Sequence, residues 1–237
     1  MKKIHLPFVS STNAYLKENY KNLENYTFVS ADEQSEGRGR LNRVWKSENG
    51  TNLLFSLLIL DKTLINSFKA ISMISAYSVI EVLNELGLKD ASIKWPNDVY
   101  VGDKKIAGIL LEAVSKSEIE CLIVGVGLNV NQIEFSGEYL HSPTSIKNEL
   151  NKDINLEELK EIVYKKFIDN FNKLKNGYDF IKDIRKVNYL KDKTVYALIQ
   201  DEKKEVKVLD INLDYSLVTK YKEQILNLSS DEVTFHF

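Results

Sequence analysis

The chain has 237 residues, 43% of them hydrophobic and 28% charged, with a net charge of −2. This is a globular composition with material for one large domain, or one large and one small, and it lacks the overall positive field of a nucleic-acid-binding protein. No apolar run reaches membrane-crossing length, and Met1 to Pro7 lacks the apolar stretch of a signal peptide, so the expected setting is the cytoplasm, with no membrane partner. The single cysteine, Cys121, lies in an apolar run and reads as a small buried hydrophobe. Three scattered histidines (His5, His141, His236) and one cysteine argue against a zinc site.

Taken in order, Ser10-Ser11-Thr12-Asn13 is a polar run of helix N-cap type, with a helix opening at about Asn13. Phe28 to Ala31 reads as a short strand, and Asn52 to Leu60 as a buried one. One helix is expected from Leu64 to Leu86, stopped by Gly87. Ala91 to Trp95 is strand-like and ends at Pro96-Asn97-Asp98. Val99 to Val101 then turns through Gly102-Asp103-Lys104 into a strand over Ile106 to Val114. Ile119 to Val130 is a further buried strand. A long helix from Asn155 to Asn176 is capped by Asn155 and closed by Gly177, with Leu156, Leu159, Ile162, Val163, Phe167, Phe171 and Leu174 on its buried side. Beyond Lys191, short alternating strands are expected over Val195 to Gln200, Glu205 to Leu213, Leu217 to Lys222 and Val233 to Phe237. The chain therefore divides into residues 1–190 and a small all-β unit, residues 191–237.

The arginines mark where chemistry is concentrated. There are only four, and three of them, Arg38, Arg40 and Arg43, fall within six positions. A guanidinium grips carboxylate or phosphate through a flat fork of donors that lysine cannot offer. Gly37 and Gly39 alternate with them and allow close backbone approach. This is an anion clamp, against the commoner alternative of a solvated basic loop. Three more clusters stand beside it. In Lys94-Trp95-Pro96-Asn97-Asp98 the proline ends strand pairing and leaves Asn97 and Asp98 at a strand terminus, in a site or in an ordinary turn. Lys105 can point its ammonium into a pocket from the start of a strand, or lie on a hairpin edge, and Gly108 lets a ligand lie against the backbone. Gly125 and Gly127 share one strand face and clear a floor, with Asn129 able to bond a ligand edge.

In order and spacing, Ser11-Thr12-Asn13, Gly37-Arg38-Gly39-Arg40, Lys94-Trp95-Pro96-Asn97-Asp98, Lys105-Ile106-Ala107-Gly108-Ile109-Leu110 and Gly125-Val126-Gly127-Leu128-Asn129 resemble the biotin protein ligases. The resemblance runs from about Ile4 to Ile146. It implies an α+β fold, a mixed sheet flanked by helices and related to class II aminoacyl-tRNA synthetases, with a small C-terminal SH3-like barrel. It implies two reaction steps: biotin's carboxylate attacks the α-phosphate of ATP to give biotinyl-5′-AMP, and a lysine of a biotin carboxyl carrier protein domain then takes the biotinyl group. Carried over residue by residue, Ser11, Thr12 and Gln34 meet biotin's ureido ring, and Asn13 belongs to the biotin-binding set. Gly37, Arg38, Gly39 and Arg40 cover the carboxylate and phosphate, and Lys105 stands at their junction, so that Lys105, Arg38 and Arg40 are the expected catalytic residues. Gly108, Gly125 and Gly127 floor the pocket, and Arg43, Trp45 and Asn129 lie on the ATP side. Asp98 is the candidate to hold Mg2+ or to meet the incoming lysine. Ser11 stands too near the start for a preceding helix-turn-helix domain, so a ligase without its own DNA-binding domain is expected. A homodimer through sheet edges is a family habit. The alternatives are a lipoate or octanoate ligase of the same fold, against which the Lys-Trp-Pro-Asn-Asp run speaks, and a non-catalytic sensor of biotinyl-AMP.

Overall fold

A computed structural model of the chain describes residues 2–137, 139, 141–199, 202–230 and 233–234. The order is β1 (Lys3–Val9), α1 (Thr12–Asn19), β2 (Phe28–Gln34), β3 (Leu53–Ile59), α2 (Lys62–Ile65), α3 (Phe68–Leu86), β4 (Ala91–Lys94), β5 (Asp98–Val101), β6 (Lys104–Ser115) and β7 (Ile119–Leu128). Next come α4 (Ile146–Leu150), α5 (Leu156–Lys175), α6 (Ile181–Lys186), β8 (Thr194–Ile199), β9 (Glu202–Ile211), β10 (Leu217–Tyr221), β11 (Gln224–Leu228) and β12 (Val233–Thr234). Seven strands form one sheet in the order β1-β2-β3-β7-β6-β5-β4, and five form a second, β11-β10-β9-β8-β12. The first is mixed: β1 runs parallel to β2, and every other neighbouring pair in it is antiparallel. This is the expected mixed sheet with helices, and the second sheet is the expected small β unit.

The centre of the first sheet, β3 and β7, is apolar on nearly every residue because both faces are covered. Helices α3 and α5 pack together on one face, where Phe55 meets Phe167 edge-on and stacks on Phe28. Helix α1 lies against β2, β3 and β7. The long helices begin and end as their sequences dictate. Asn155 accepts the backbone N–H groups of Glu157 and Glu158, and Gly87 closes α3 at φ 107°. One continuous apolar core links the two sheets, from Ile93 and Trp95 to Val206 and Leu217. Among the described residues no helix is long and apolar enough to cross a membrane.

Several expectations need correction. The single helix over Leu64 to Leu86 is two, because Asp61 caps the short α2 and the chain restarts at Ser67. Ile162, expected on the buried side of α5, is 38% exposed; the buried face is centred on Val163, Phe167 and Phe171, with Tyr164 and Ile168 beside them, which turns Ile162 to the far flank. Strand β1, with Pro7 inside it, was not expected from the sequence. It survives because β1 is an edge strand and needs partners on one side only. Strand β11 and helices α4 and α6 were also unforeseen. Of the final strand expected over Val233 to Phe237, only Val233–Thr234 lies within the described residues.

Candidate active site

The functional segments of the sequence converge on one cavity of about 650 Å³, between the first sheet, α1, the arginine loop and the edge of the second sheet. It is lined by Ser11, Thr12, Asn13, Gln34, Arg38, Gly39, Arg40, Arg43, Trp45, Asp98, Lys105, Gly108, Gly125, Gly127 and Asn129. Of the predicted site residues only Gly37 is not on its wall. Register explains the convergence. Ser56, Gly125 and Leu110 share one rung across β3, β7 and β6; Leu54, Gly127 and Gly108 share another, two residues along. Period two puts the glycines of both rungs on one face.

One end of the cavity is a chain of polar side chains with a fixed direction. Gln34 Oε1 accepts from the Thr12 backbone N–H at 2.7 Å and from Thr12 Oγ1 at 3.1 Å. The backbone donor leaves no choice of amide orientation, so Gln34 Nε2 is the atom left to donate. Ser56 Oγ lies 2.6 Å from Thr12 Oγ1 and also contacts Asn13 Oδ1. Asn13 Nδ2 donates to Glu112 Oε2 at 2.7 Å and to the Leu110 carbonyl at 3.4 Å. Both are acceptors, so Asn13 must turn its oxygen away from them. Thr12, Asn13 and Ser56 are all buried.

The middle of the cavity is the glycine floor, but it is not bare. A Cβ on Gly125 would lie 2.3 Å from Asn13 Oδ1, and one on Gly127 would lie 2.4 Å from the Trp45 indole. The glycines make room for Asn13 and Trp45, and a ligand meets these side chains in turn. Gly37 has a similar tight surrounding. A Cβ there would fall 2.6 Å from the Trp45 carbonyl, so the loop's own backbone already requires a glycine at this position. The loop closes on itself through Gly39 N–H to the Arg43 carbonyl, 2.7 Å, and Trp45 N–H to the Gly37 carbonyl, 2.8 Å. At its tip Leu41 is 83% exposed with φ 55°, a left-handed conformation that costs a leucine about 1 kcal/mol or more. Buried Trp45 Nε1 has no hydrogen-bond partner among the described residues.

The far end carries the charges. Lys105 Nζ is 2.8 Å from Asp98 Oδ1 and 5.4 Å from the centre of the Trp45 ring. Lys105 therefore points into the pocket, as one of its two sequence readings had it. Arg40 reaches the Asn97 side chain and donates to the Ser230 carbonyl at 3.0 Å, tying the loop to the second sheet. Arg38 pairs with Glu36 in the open. Asn129 gives its amide nitrogen to the Thr144 carbonyl, so Oδ1 is the side-chain atom it can offer a ligand. Asp98 is the one carboxylate on the cavity wall among the described residues.

Some residues on the wall had no role in the sequence reading. Phe135, Tyr139 and His141 come from the segment before α4, Ser230 from the connection after β11, and Val233 from β12. Ser56 had a faint signal, a lone hydroxyl in the apolar strand Leu53–Ile59. Lys94 belongs to a recognised motif but carried no assigned task within it. It is buried, and its Nζ lies 2.6 Å from His141 Nε2 and 3.4 Å from the Tyr100 hydroxyl. Burial, with Lys105, Lys193 and Arg43 adding repulsion against Asp98, pulls its pKa down to about 8. Burial and Lys94 together lower His141 to about 4, so the ring is uncharged at neutral pH and its Nε2 can accept from the Lys94 ammonium. Between pH 8 and the lysine's ordinary 10.5 the unfolded chain binds the extra proton. The charge of Lys94 therefore opposes folding fully below pH 8, and the opposition fades as pH rises through that window. Urea melts should show Lys94→Met losing roughly 2–3 kcal/mol of stability relative to the parent chain between pH 7 and 10.5. A pH-independent difference would contradict this.

The family model of the biotin/lipoate A/B protein ligase family matches residues 5–129, more than half of the chain. The chain belongs to this family. Among relatives, the bifunctional ligase/repressor BirA of Bacillus subtilis is 36% identical over 107 residues, 45% of this chain but only 33% of the relative's length. Biotin–protein ligase 2 of Arabidopsis thaliana is 30% identical over 215 residues, 86% of this chain and 62% of the relative. Among solved structures, the biotin protein ligase from Aquifex aeolicus in complex with biotin and ATP superposes with a TM-score of 0.88 at 32% identity, covering 99% of this chain and 98% of that one. The polarity of the Gln34–Glu112 chain is a property of these particular atoms.

Proposed function

We propose that the chain is an ATP-dependent ligase that activates biotin as biotinyl-5′-AMP and transfers the biotinyl group to a lysine of a biotin carboxyl carrier protein domain. The observation that carries this is the polar end of the cavity. A cyclic urea has a carbonyl acceptor flanked by N–H donors; Gln34 Nε2 can meet the first and Asn13 Oδ1 the second. A dithiolane ring, as in lipoate, has no such groups and would leave buried polar atoms unpaired, a loss of about 1–3 kcal/mol for each. The neighbouring floor of glycine and indole suits the ring and acyl chain, and the cationic end suits the carboxylate in which that chain terminates.

Biotin's carboxylate and the triphosphate repel one another, and fixed positive charge must offset this. Lys105, held by Asp98, stands where carboxylate oxygen and α-phosphate meet and stabilises the charge that develops there. Arg38 and Arg40 cover the junction, Arg40 held in place by Ser230. Arg43, Trp45 and Asn129 lie on the nucleotide side, where the Trp45 N–H is a donor still to be satisfied. Asp98, the one carboxylate among the described wall residues, is the group that would give a magnesium ion a protein ligand beside its pairing with Lys105, since magnesium commonly takes one or two protein carboxylates and completes its shell with phosphate and water. Magnesium bound there with ATP would neutralise phosphate charge. In the transfer step the incoming neutral lysine amine attacks the acyl carbon, the acyl–phosphate C–O bond breaks, AMP leaves and the amine's proton goes to the departing phosphate or to solvent; Asp98, the one carboxylate among the described wall residues, is the group offered to orient that amine.

Biotin-dependent exchange of pyrophosphate into ATP, with mass spectrometry of a carrier domain as the second readout, tests the reading. Exchange with biotin and a biotin-sized mass gain are expected. Exchange with lipoate in place of biotin would overturn the substrate, and binding of biotinyl-AMP with no exchange would favour the sensor.

A further inference from the structure

We infer that Glu112, which does not touch the cavity, is a positioning residue that sets specificity for a ring bearing N–H donors. This rests on the biotin reading of the site. The argument is one of polarity. Asn13 is 4% exposed and lies over Gly125, so its amide has two packing-equivalent orientations that differ only in which atom faces the ligand. Ser56 cannot decide between them, because a hydroxyl can donate to Oδ1 or accept from Nδ2. The Leu110 carbonyl favours one orientation, but at 3.4 Å the bond is weak. Glu112 decides. Its carboxylate can only accept, it takes Asn13 Nδ2 at 2.7 Å, and Lys17 on α1 pairs with its other oxygen. Asn13 Oδ1 is thereby committed as an acceptor toward the site. At the other end of the same chain the Thr12 backbone N–H commits Gln34 Nε2 as a donor. The two ends fix opposite polarities a few atoms apart, the pattern a urea edge requires.

Steady-state exchange kinetics on the full chain test this. Glu112→Ala should raise the KM for biotin about tenfold while leaving the KM for ATP and kcat within about twofold, the size expected for one lost oriented hydrogen bond. Glu112→Gln keeps an acceptor and should stay within about threefold of the parent, and Lys17→Ala, which leaves the Glu112–Asn13 bond intact, should do the same. In an Asn13→Ala background, adding Glu112→Ala should cost nothing further, because its effect runs through Asn13. An unchanged biotin KM in Glu112→Ala, equal loss for both substrates, or a full additive loss in the double variant would each overturn the inference. A parent chain with no biotin-dependent exchange would instead sink the biotin reading itself. The Glu112 side chain is 29% exposed on its strand, so these variants are expected to fold, and Glu112→Gln tests the chain with the least disturbance.

Discussion

Lys105→Ala is expected to slow biotin-dependent pyrophosphate exchange by roughly two to three orders of magnitude, the usual cost of one preorganised charge at a reacting oxygen. The effect should fall on kcat, since the lysine acts on charge that grows along the reaction rather than on bound ground-state groups. Its partner adds an effect on stability. Asp98 is 19% exposed and pairs with Lys105 at 2.8 Å; removing the lysine leaves that carboxylate without its partner in the pocket wall, at a cost of roughly 1–3 kcal/mol in stability. Lys105→Ala combined with Asp98→Asn should therefore recover thermal stability without recovering exchange. Full-rate adenylate formation in the single variant would remove Lys105 from the mechanism. A double variant as unstable as the single would show that the pair does not govern the local fold.

Gly125→Ala should weaken biotin binding more than tenfold and lower stability by about 1–3 kcal/mol, the range for overpacking a closed core. The added methyl would lie 2.3 Å from Asn13 Oδ1 and 2.9 Å from its Cγ. Asn13 cannot retreat, because its nitrogen is held by Glu112 and Leu110 and its side chain is buried. It must break those bonds, and the acceptor facing the urea goes with them. Combining Gly125→Ala with Asn13→Ala relieves the overlap. Stability should return in a thermal melt while calorimetry still finds weak biotin binding. A Gly125→Ala chain that binds biotin normally would show that the floor is looser than its geometry.

The chemistry of the site was legible because it rests on residue types that substitute poorly for one another. Three of the four arginines in one loop, a lysine at a strand start, and glycines two apart on one strand are local statements, readable without a fold. Most elements were legible for a similar reason: apolar periodicity and caps such as Asn155 and Gly87 are local signals. Strand β1 was not, because its exposed and half-buried residues carry little apolar patterning, and its place at the sheet edge is decided by the sheet order. The break between α2 and α3 was hidden because the apolar stripe continues across it.

What the sequence by itself determined is the inventory: a mixed α+β chain, its family, and a cluster of cations beside a run of small residues. What only the tertiary structure decided is which atoms face one another. Gly37 makes way for the Trp45 carbonyl, Asn13 rests on Gly125, and Arg40 is held by Ser230, 190 positions away. Asn13 and Glu112 stand 99 residues apart, joined because α1 packs beside the rung where β7 meets β6. Periodicity fixes which face a side chain takes, but not the register that selects its neighbour on the next strand. The polarity of the site depends on that register, since an amide takes its direction from whichever acceptor stands opposite it.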